Sequence, residues 1–353
     1  MENFNQQGMK PFYWVLLISL LSLASSVYSQ TAKQYFEQGQ KKLNINDSKG
    51  AIVYFTKSIE IDPNNSTAYL KRGYAKSDLN DKIGAISDFT KSIEIDSKDS
   101  LTVEYHLRGI KYGIRADEKF NIKDYTGSID DYTIAIELGA TPYLGRAAAK
   151  LKLQDYPGSI VDCTKAIEIN PKDVHAYCNR GFVKSDLQDY VGAIADYSQA
   201  IEISPNFAEA YYNRGNAKFD LKDYRGAIVD FTSAIEISPK DADAYSNRGY
   251  SKLQLQDYMG AIVDFTSAIE ISPKDADAYY NRGTAKINLK DYRGAITDFT
   301  KAIELNPKYA KAYYKRGILK LKLELKDSGC LDLSKAGELG NSDAYEAIKK
   351  FCQ

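Results

Sequence analysis

The residues best placed to do chemistry in this chain come back at a fixed step. Arginine stands at Arg72, Arg108, Arg146, Arg180, Arg214, Arg248, Arg282 and Arg316, each but Arg146 followed by a glycine. Four residues after most of these arginines a lysine follows, as at Lys184, Lys218, Lys252 and Lys286. Aspartate falls sixteen after the arginine at Asp88, Asp196, Asp230, Asp264 and Asp298. A guanidinium opposite a carboxylate at that spacing suits a bidentate ion pair between two neighbouring helices: Arg214 with Asp230, Arg248 with Asp264, Arg282 with Asp298. Such a pair, partly buried, sets register more dependably than it adds stability. A phosphate-binding stripe is the weaker reading, because the aspartates would neutralise it.

Enzymatic chemistry has little material. The chain holds two histidines, His106 and His175, and four cysteines. It has no phosphate-cradling glycine loop, no Gly-x-Ser-x-Gly elbow and no His-Glu-x-x-His. The acids and bases repeat with the array, and repetition belongs to a scaffold. No catalytic residue, cofactor or metal site is expected. Lys+Arg and Asp+Glu both number 47, so no net field draws nucleic acid.

The elements that position these groups follow from the step itself. Gly181, Gly215, Gly249, Gly283 and Gly317 lie 34 residues apart, as do Gly39 and Gly73, with Ala147 in the same slot and Gly109 between the groups. In one unit, Asp241 is an N-cap for a helix carrying Ala244, Tyr245, Gly249 and Leu253 at helical spacing. Asp257 caps a second helix carrying Ala261, Ile262, Phe265, Ala268, Ile269 and Ile271, and Pro273 marks the loop after it. Gly249, Ala261 and Ala268 fall where two helices need close approach. A unit this short cannot bury its own apolar face, so neighbours must cover it.

The period, the helix–turn–helix build and these recurring slots resemble the tetratricopeptide repeat from about Thr31 onward. The resemblance implies an all-α, right-handed α-solenoid of about nine helix–turn–helix repeats over 30–340, followed by a capping helix over 341–353. The third repeat is irregular. Gly109 to Asp124 is seven residues longer than Gly215 to Asp223, an addition read around Tyr112 to Lys119, and the following junction is short. The stretch 109–142 is therefore the expected kink, either a tolerated insertion or a protrusion with a function.

Members of this family commonly hold a peptide along the inner face of their first helices. The lining slots are three before, one after and four after each glycine: Cys178, Phe182, Ser185, Tyr212, Asn216, Phe219, Ser246, Tyr250, Leu253, Tyr280, Thr284, Ile287, Tyr314, Ile318 and Leu321. An asparagine two before the glycine, at Asn179, Asn213, Asn247 and Asn281, gives way to Lys315. Tyrosines beside amides suit a peptide, since tyrosine offers area at low entropic cost and a hydrogen bond. In chaperone-binding members a clamp for a terminal carboxylate uses such an asparagine with basic residues, which Asn281, Lys311 and Lys315 match. Ser246 and Tyr250 stand where the other half should be, so the clamp is incomplete.

Val15 to Ala24 is an apolar run too short to span a bilayer, and Val27 and Ser29 fit a cleavage site before Gln30. Residues 1–29 thus read as a signal peptide, and the protein as exported to a periplasmic or extracellular space with no membrane span in the mature chain. The alternative is a membrane tether formed by an uncleaved segment. In an oxidising compartment Cys330 and Cys352 can form a disulfide pinning the last helix. A Cys163–Cys178 bridge is the lesser prospect, and buried thiols the default. The expected function is a non-enzymatic interaction scaffold for protein or peptide partners, with a structural spacer or an accessory subunit of an envelope enzyme complex as alternatives. Partner and oligomeric state are not legible.

Overall fold

A computed structural model describes residues 31–97 and 103–352. The segment read as a signal peptide lies outside the described residues. Among those residues there are 19 helices and no strand, and the chain divides into two compact units that meet in sequence at Ile169 and Asn170.

The first unit holds α1 (31–44), α2 (Ser48–Ile61), α3 (Ser66–Asp78), α4 (Lys82–Asp96), α5 (Val103–Asn121), α6 (Tyr125–Glu137), α7 (Tyr143–Lys152) and α8 (Tyr156–Ile169). The second holds α9 (Val174–Asp186), α10 (Tyr190–Ile203), α11 (Ala208–Asp220), α12 (Tyr224–Ile237), α13 (Ala242–Gln254), α14 (Tyr258–Ile271), α15 (Ala276–Asn288), α16 (Tyr292–Leu305), α17 (Ala310–Lys322), α18 (Lys326–Glu338) and α19 (Ser342–Phe351). Within each unit, helices pack on their sequence neighbours. In the second unit α9, α11, α13 and α15 also touch in succession, which sets first helices side by side along one face.

Local chemistry fixes each turn. The Asp223 side chain accepts the backbone N–H of Gly226 at 2.9 Å, capping α12. A Cβ on Gly226 would sit 2.1 Å from that carboxylate, so cap and glycine belong together. Asp47, Asp81, Asp124, Asp155, Asp189, Asp257 and Asp291 repeat the device. The residue before each cap has a left-handed backbone, as at Lys222 with φ 63°, yet is asparagine, lysine or glutamine and never glycine. The glycine of the first helix serves close approach. A Cβ on Gly215 would meet the ring of Phe231 at 2.8 Å, and that ring is fully buried. Where the first helix carries Ala147 instead, the ring position is held by the smaller Cys163.

The third repeat requires a correction. Its ladder arginine is Arg115, paired with Asp131, and Arg108 is not in the slot. The buried Ala116 stands in the glycine position, not Gly109. The extra residues lie on the N-terminal side of this slot and make α5 19 residues long, against 13 for α11. Seven residues are about two helical turns, so both registers face the same way. The longer helix also buries two charges: Lys111 in the slot of Ala244, and Glu118 in a slot held in the second unit by Val183, Ala217, Ser251, Ala285 and Leu319. Lys111 Nζ donates to Ser92 Oγ at 2.8 Å and pairs with Asp96. Glu118 accepts from Ser77 and lies 3.2 Å from Lys82 Nζ.

At the C-terminal end α19 packs on α18, and a disulfide joins Cys330 to Cys352. The buried face of α19 is Ala344 and Ala347, with Ile348 half-buried. Phe351 is exposed, because the helix meets its neighbour through small residues. Cys163 and Cys178 are buried thiols, outside any disulfide.

Candidate functional site

The charged ladder is one repeated assembly. Arg248 donates through Nε and Nη2 to the two oxygens of Asp264, at 3.0 and 2.7 Å. Lys252 Nζ reaches the same carboxylate at 2.7 Å. The Asp264 side chain is 1% exposed and that of Arg248 16%. The remaining nitrogen, Nη1, donates to Thr232 Oγ1 of the preceding repeat at 3.1 Å. That hydroxyl is itself fixed by donating to the carbonyl of Ile228, and the ring of Tyr245 lies under the guanidinium. Arg214 with Asp230 and Arg282 with Asp298 repeat the bidentate geometry. So do the pairs starting at Arg72, Arg115, Arg146, Arg180 and Arg316. Arg248 therefore ties three helices, as do Arg72, Arg115, Arg146, Arg214, Arg282 and Arg316. The threonine, or Ser198 before Arg214, was not singled out from the sequence, although it too recurs at the common step.

Two neighbouring cavities lie on the first helices of the second unit. A cavity of about 330 Å³ is lined by Asn216, Phe219, Asp220, Asn247 and Tyr250. A second, of about 610 Å³, is lined by Tyr250, Asp277, Tyr280, Asn281, Tyr309, Ala310 and Lys311. Tyr250, 41% exposed, borders both. The Asn247 amide donates to Tyr212 Oη at 3.1 Å and to Asn216 Oδ1 at 2.9 Å. The rings of Tyr212 and Tyr280 lean on the buried Phe231 and Phe299, so each is half core and half surface. Burial pushes both phenols above their ordinary range. Tyr309 stacks on Tyr280 at 5.0 Å and donates its hydroxyl to Asp277.

Of the residues expected to line a groove, Asn216, Phe219, Asn247, Tyr250, Tyr280, Asn281 and Lys311 border these cavities. Asn213, Tyr314 and Lys315 are half-buried and border neither. Cys178 is covered, its thiol pushed up to about 12 first by burial and then by the nearby Glu209 and Asp196. The Ser246 hydroxyl is buried without a hydrogen-bond partner. Asp220, Asp277 and Tyr309 were missed. Tyr309 carries a readable signal: it replaces the capping aspartate found at Asp241 and Asp275.

Comparison with known proteins gives the same architecture. A structure of the C-terminal part of a TPR repeat-containing protein from Cytophaga hutchinsonii matches with a TM-score of 0.57 at 17% identity, over 66% of this chain and 98% of that one. YrrB, described as a TPR protein with an unusual peptide-binding site, matches at 26% identity over 53% of this chain and 97% of that one, with a TM-score of 0.48. MamA matches at 25% identity over 47% and 96%, with a TM-score of 0.45. A comparison with curated proteins finds no match. Family models described as tetratricopeptide repeat match 32–65, 66–99, 208–241 and 276–309. One described as TPR repeat matches 184–222 and 249–289. With these matches covering more than half of its length, and with helix pairs linked in the same way in both units, the chain belongs to the tetratricopeptide repeat family.

Proposed function

We propose that this protein is a non-enzymatic interaction scaffold whose second unit holds an extended peptide along its first helices. The observation that carries this reading is the pair of cavities sharing Tyr250, walled by tyrosines and side-chain amides on α11, α13, α15 and α17. Aromatic faces supply contact area, and the amides can meet peptide N–H and C=O groups. The arginines, lysines and aspartates of the ladder are paired with one another and line neither cavity.

We further propose export from the cytoplasm. The apolar run Val15–Ala24 with its small-residue cleavage pattern supports it, and so does a disulfide near the C-terminal end, a bond at home in oxidising compartments.

Selection from a displayed random-octapeptide library against residues 30–353 tests the groove. Binding peptides should lose at least tenfold in affinity on Tyr250→Ala or Asn216→Ala, positions chosen because Tyr212 and Tyr280 also support the core. Retained affinity would move the partner to another surface, and an empty selection would favour the structural spacer. Cell fractionation with N-terminal sequencing of the product tests export.

A further inference from the structure

The cavity between α11 and α13 has a composition that its neighbour lacks. Its wall contains two aromatic rings, Phe219 and Tyr250, with centroids 5.8 Å apart, and Phe219 is steadied edge-on by Tyr224 at 5.2 Å. Its polar groups are Asp220, Asn216 and Asn247, and no lysine or arginine lines it. Asp220 differs from the aspartates of the ladder and of the helix caps: among the described residues it forms no ion pair and no hydrogen bond. Partial burial without a counter-charge pushes its carboxyl above the ordinary aspartate range. Asn247 spends its amide hydrogens on Tyr212 and Asn216 and so keeps its carbonyl oxygen as an acceptor. The cavity thus offers a carboxylate, an amide acceptor and two ring faces.

We propose that this cavity is a subsite for a basic side chain, lysine or arginine, on the peptide held in the groove. The proposal rests on the groove reading above. An ammonium or guanidinium there gains the unpaired carboxylate and the ring faces together. An acidic side chain meets the same carboxylate with repulsion, and an aliphatic one removes water from it and returns nothing. The adjoining cavity lacks this bias, because Lys311 lines it and its Asp277 is already engaged by Tyr309. Side-chain selection should therefore fall at one position of the ligand and not along its whole length.

The probes are octapeptides selected from the random library, each remade with its basic residue changed to norleucine and to glutamate, and titrated calorimetrically into residues 30–353. Lysine should bind about tenfold more tightly than norleucine, from an exposed ion pair and a cation–π contact together. In Asp220→Asn, a surface change checked for folding by circular dichroism, that ratio should fall to about twofold. Raising salt should narrow the gap in the native chain and leave it unchanged in the variant. Peptides that bind in a Tyr250-dependent way with no enriched basic residue, or with the same ratio in Asp220→Asn, would overturn the subsite and leave the groove standing. A library with no binder would overturn both.

Discussion

The second unit and the third repeat solve one packing problem in different ways. In the second unit first and second helices meet through small apolar residues such as Gly249, Ala261, Ala268 and Ala285, all buried. In the third repeat α5 holds Lys111 in the slot of Ala244 and Glu118 in the slot of Ala285, each 7% exposed and each tied to the second repeat by side chains that match only there. In the second unit the slot of Glu118 holds the uncharged Val183, Ala217, Ser251, Ala285 and Leu319, which call for no charged partner in the neighbouring repeat. The third repeat lacks that freedom, because its buried charges need Ser92, Asp96, Ser77 and Lys82. Uncharged packing asks for no particular charge next door, and buried charge makes one neighbour specific.

The sharpest way to break this contrast is to exchange the two chemistries. Ala285→Glu places an uncompensated carboxylate in a slot with no donor and should cost about 4 kcal/mol or more. The reverse change, Glu118→Ala, restores the common residue and should cost only about 1 kcal/mol, from lost bonds to Ser77 and Lys82. Urea unfolding followed by circular dichroism reads both, and equal losses would abolish the distinction. The ladder is what the two regions share, so Asp264→Ala and Asp131→Ala should each cost about 3 kcal/mol, because two cations lose one buried carboxylate. Different costs at the two sites would mean that the ladder is not equivalent in them.

A subtler test uses the fourth repeat. Cys163→Phe recreates the ring found elsewhere, but against Ala147, and should cost about 2 kcal/mol from overpacking. Adding Ala147→Gly should recover most of that loss, a coupling visible in a double-mutant cycle. The smallest effect concerns Asp117, which accepts the Tyr132 hydroxyl and whose carboxyl is raised first by burial. A carboxyl with a folded pKa above its unfolded one contributes stability below the unfolded value, about 3.9, and loses it as pH rises through the folded value. Asp117→Asn should therefore flatten the pH dependence in that window and leave the protein slightly more stable at neutral pH. Thermal melts across acidic pH would show it, and an unchanged profile would assign the dependence to other groups.

Much of this was legible because it repeats. A cap such as Asp257, a close-approach residue such as Gly249 and a pair such as Arg248 with Asp264 each recur at the period, so one unit explains the others. The register of α5 was not legible, since a two-turn addition keeps helical phase. With Gly109 in the slot, Lys111 would be buried, and with Ala116 in it, Glu118 is; neither choice avoids a charge inside. Asp220 and Asp277 escaped notice for the opposite reason. Each is an acid on a polar helix face, and only the fold shows that Asp277 has found a partner in Tyr309 while Asp220 has found none.

The backward reach of each arginine gives the array a direction. Arg248 grips Thr232, and Arg282 grips Thr266, always toward the N-terminal neighbour. Shortening such a chain from its C-terminal side strands only a hydroxyl, which water satisfies at no great cost. Shortening it from the N-terminal side uncovers a charged Nη1 donor, which exchanges a fixed hydroxyl for water while its bidentate bond to the aspartate stays. The two ends of a shortened array therefore present different groups, an acceptor hydroxyl on one side and a charged donor on the other, so shedding repeats is a chemically asymmetric operation in this molecule.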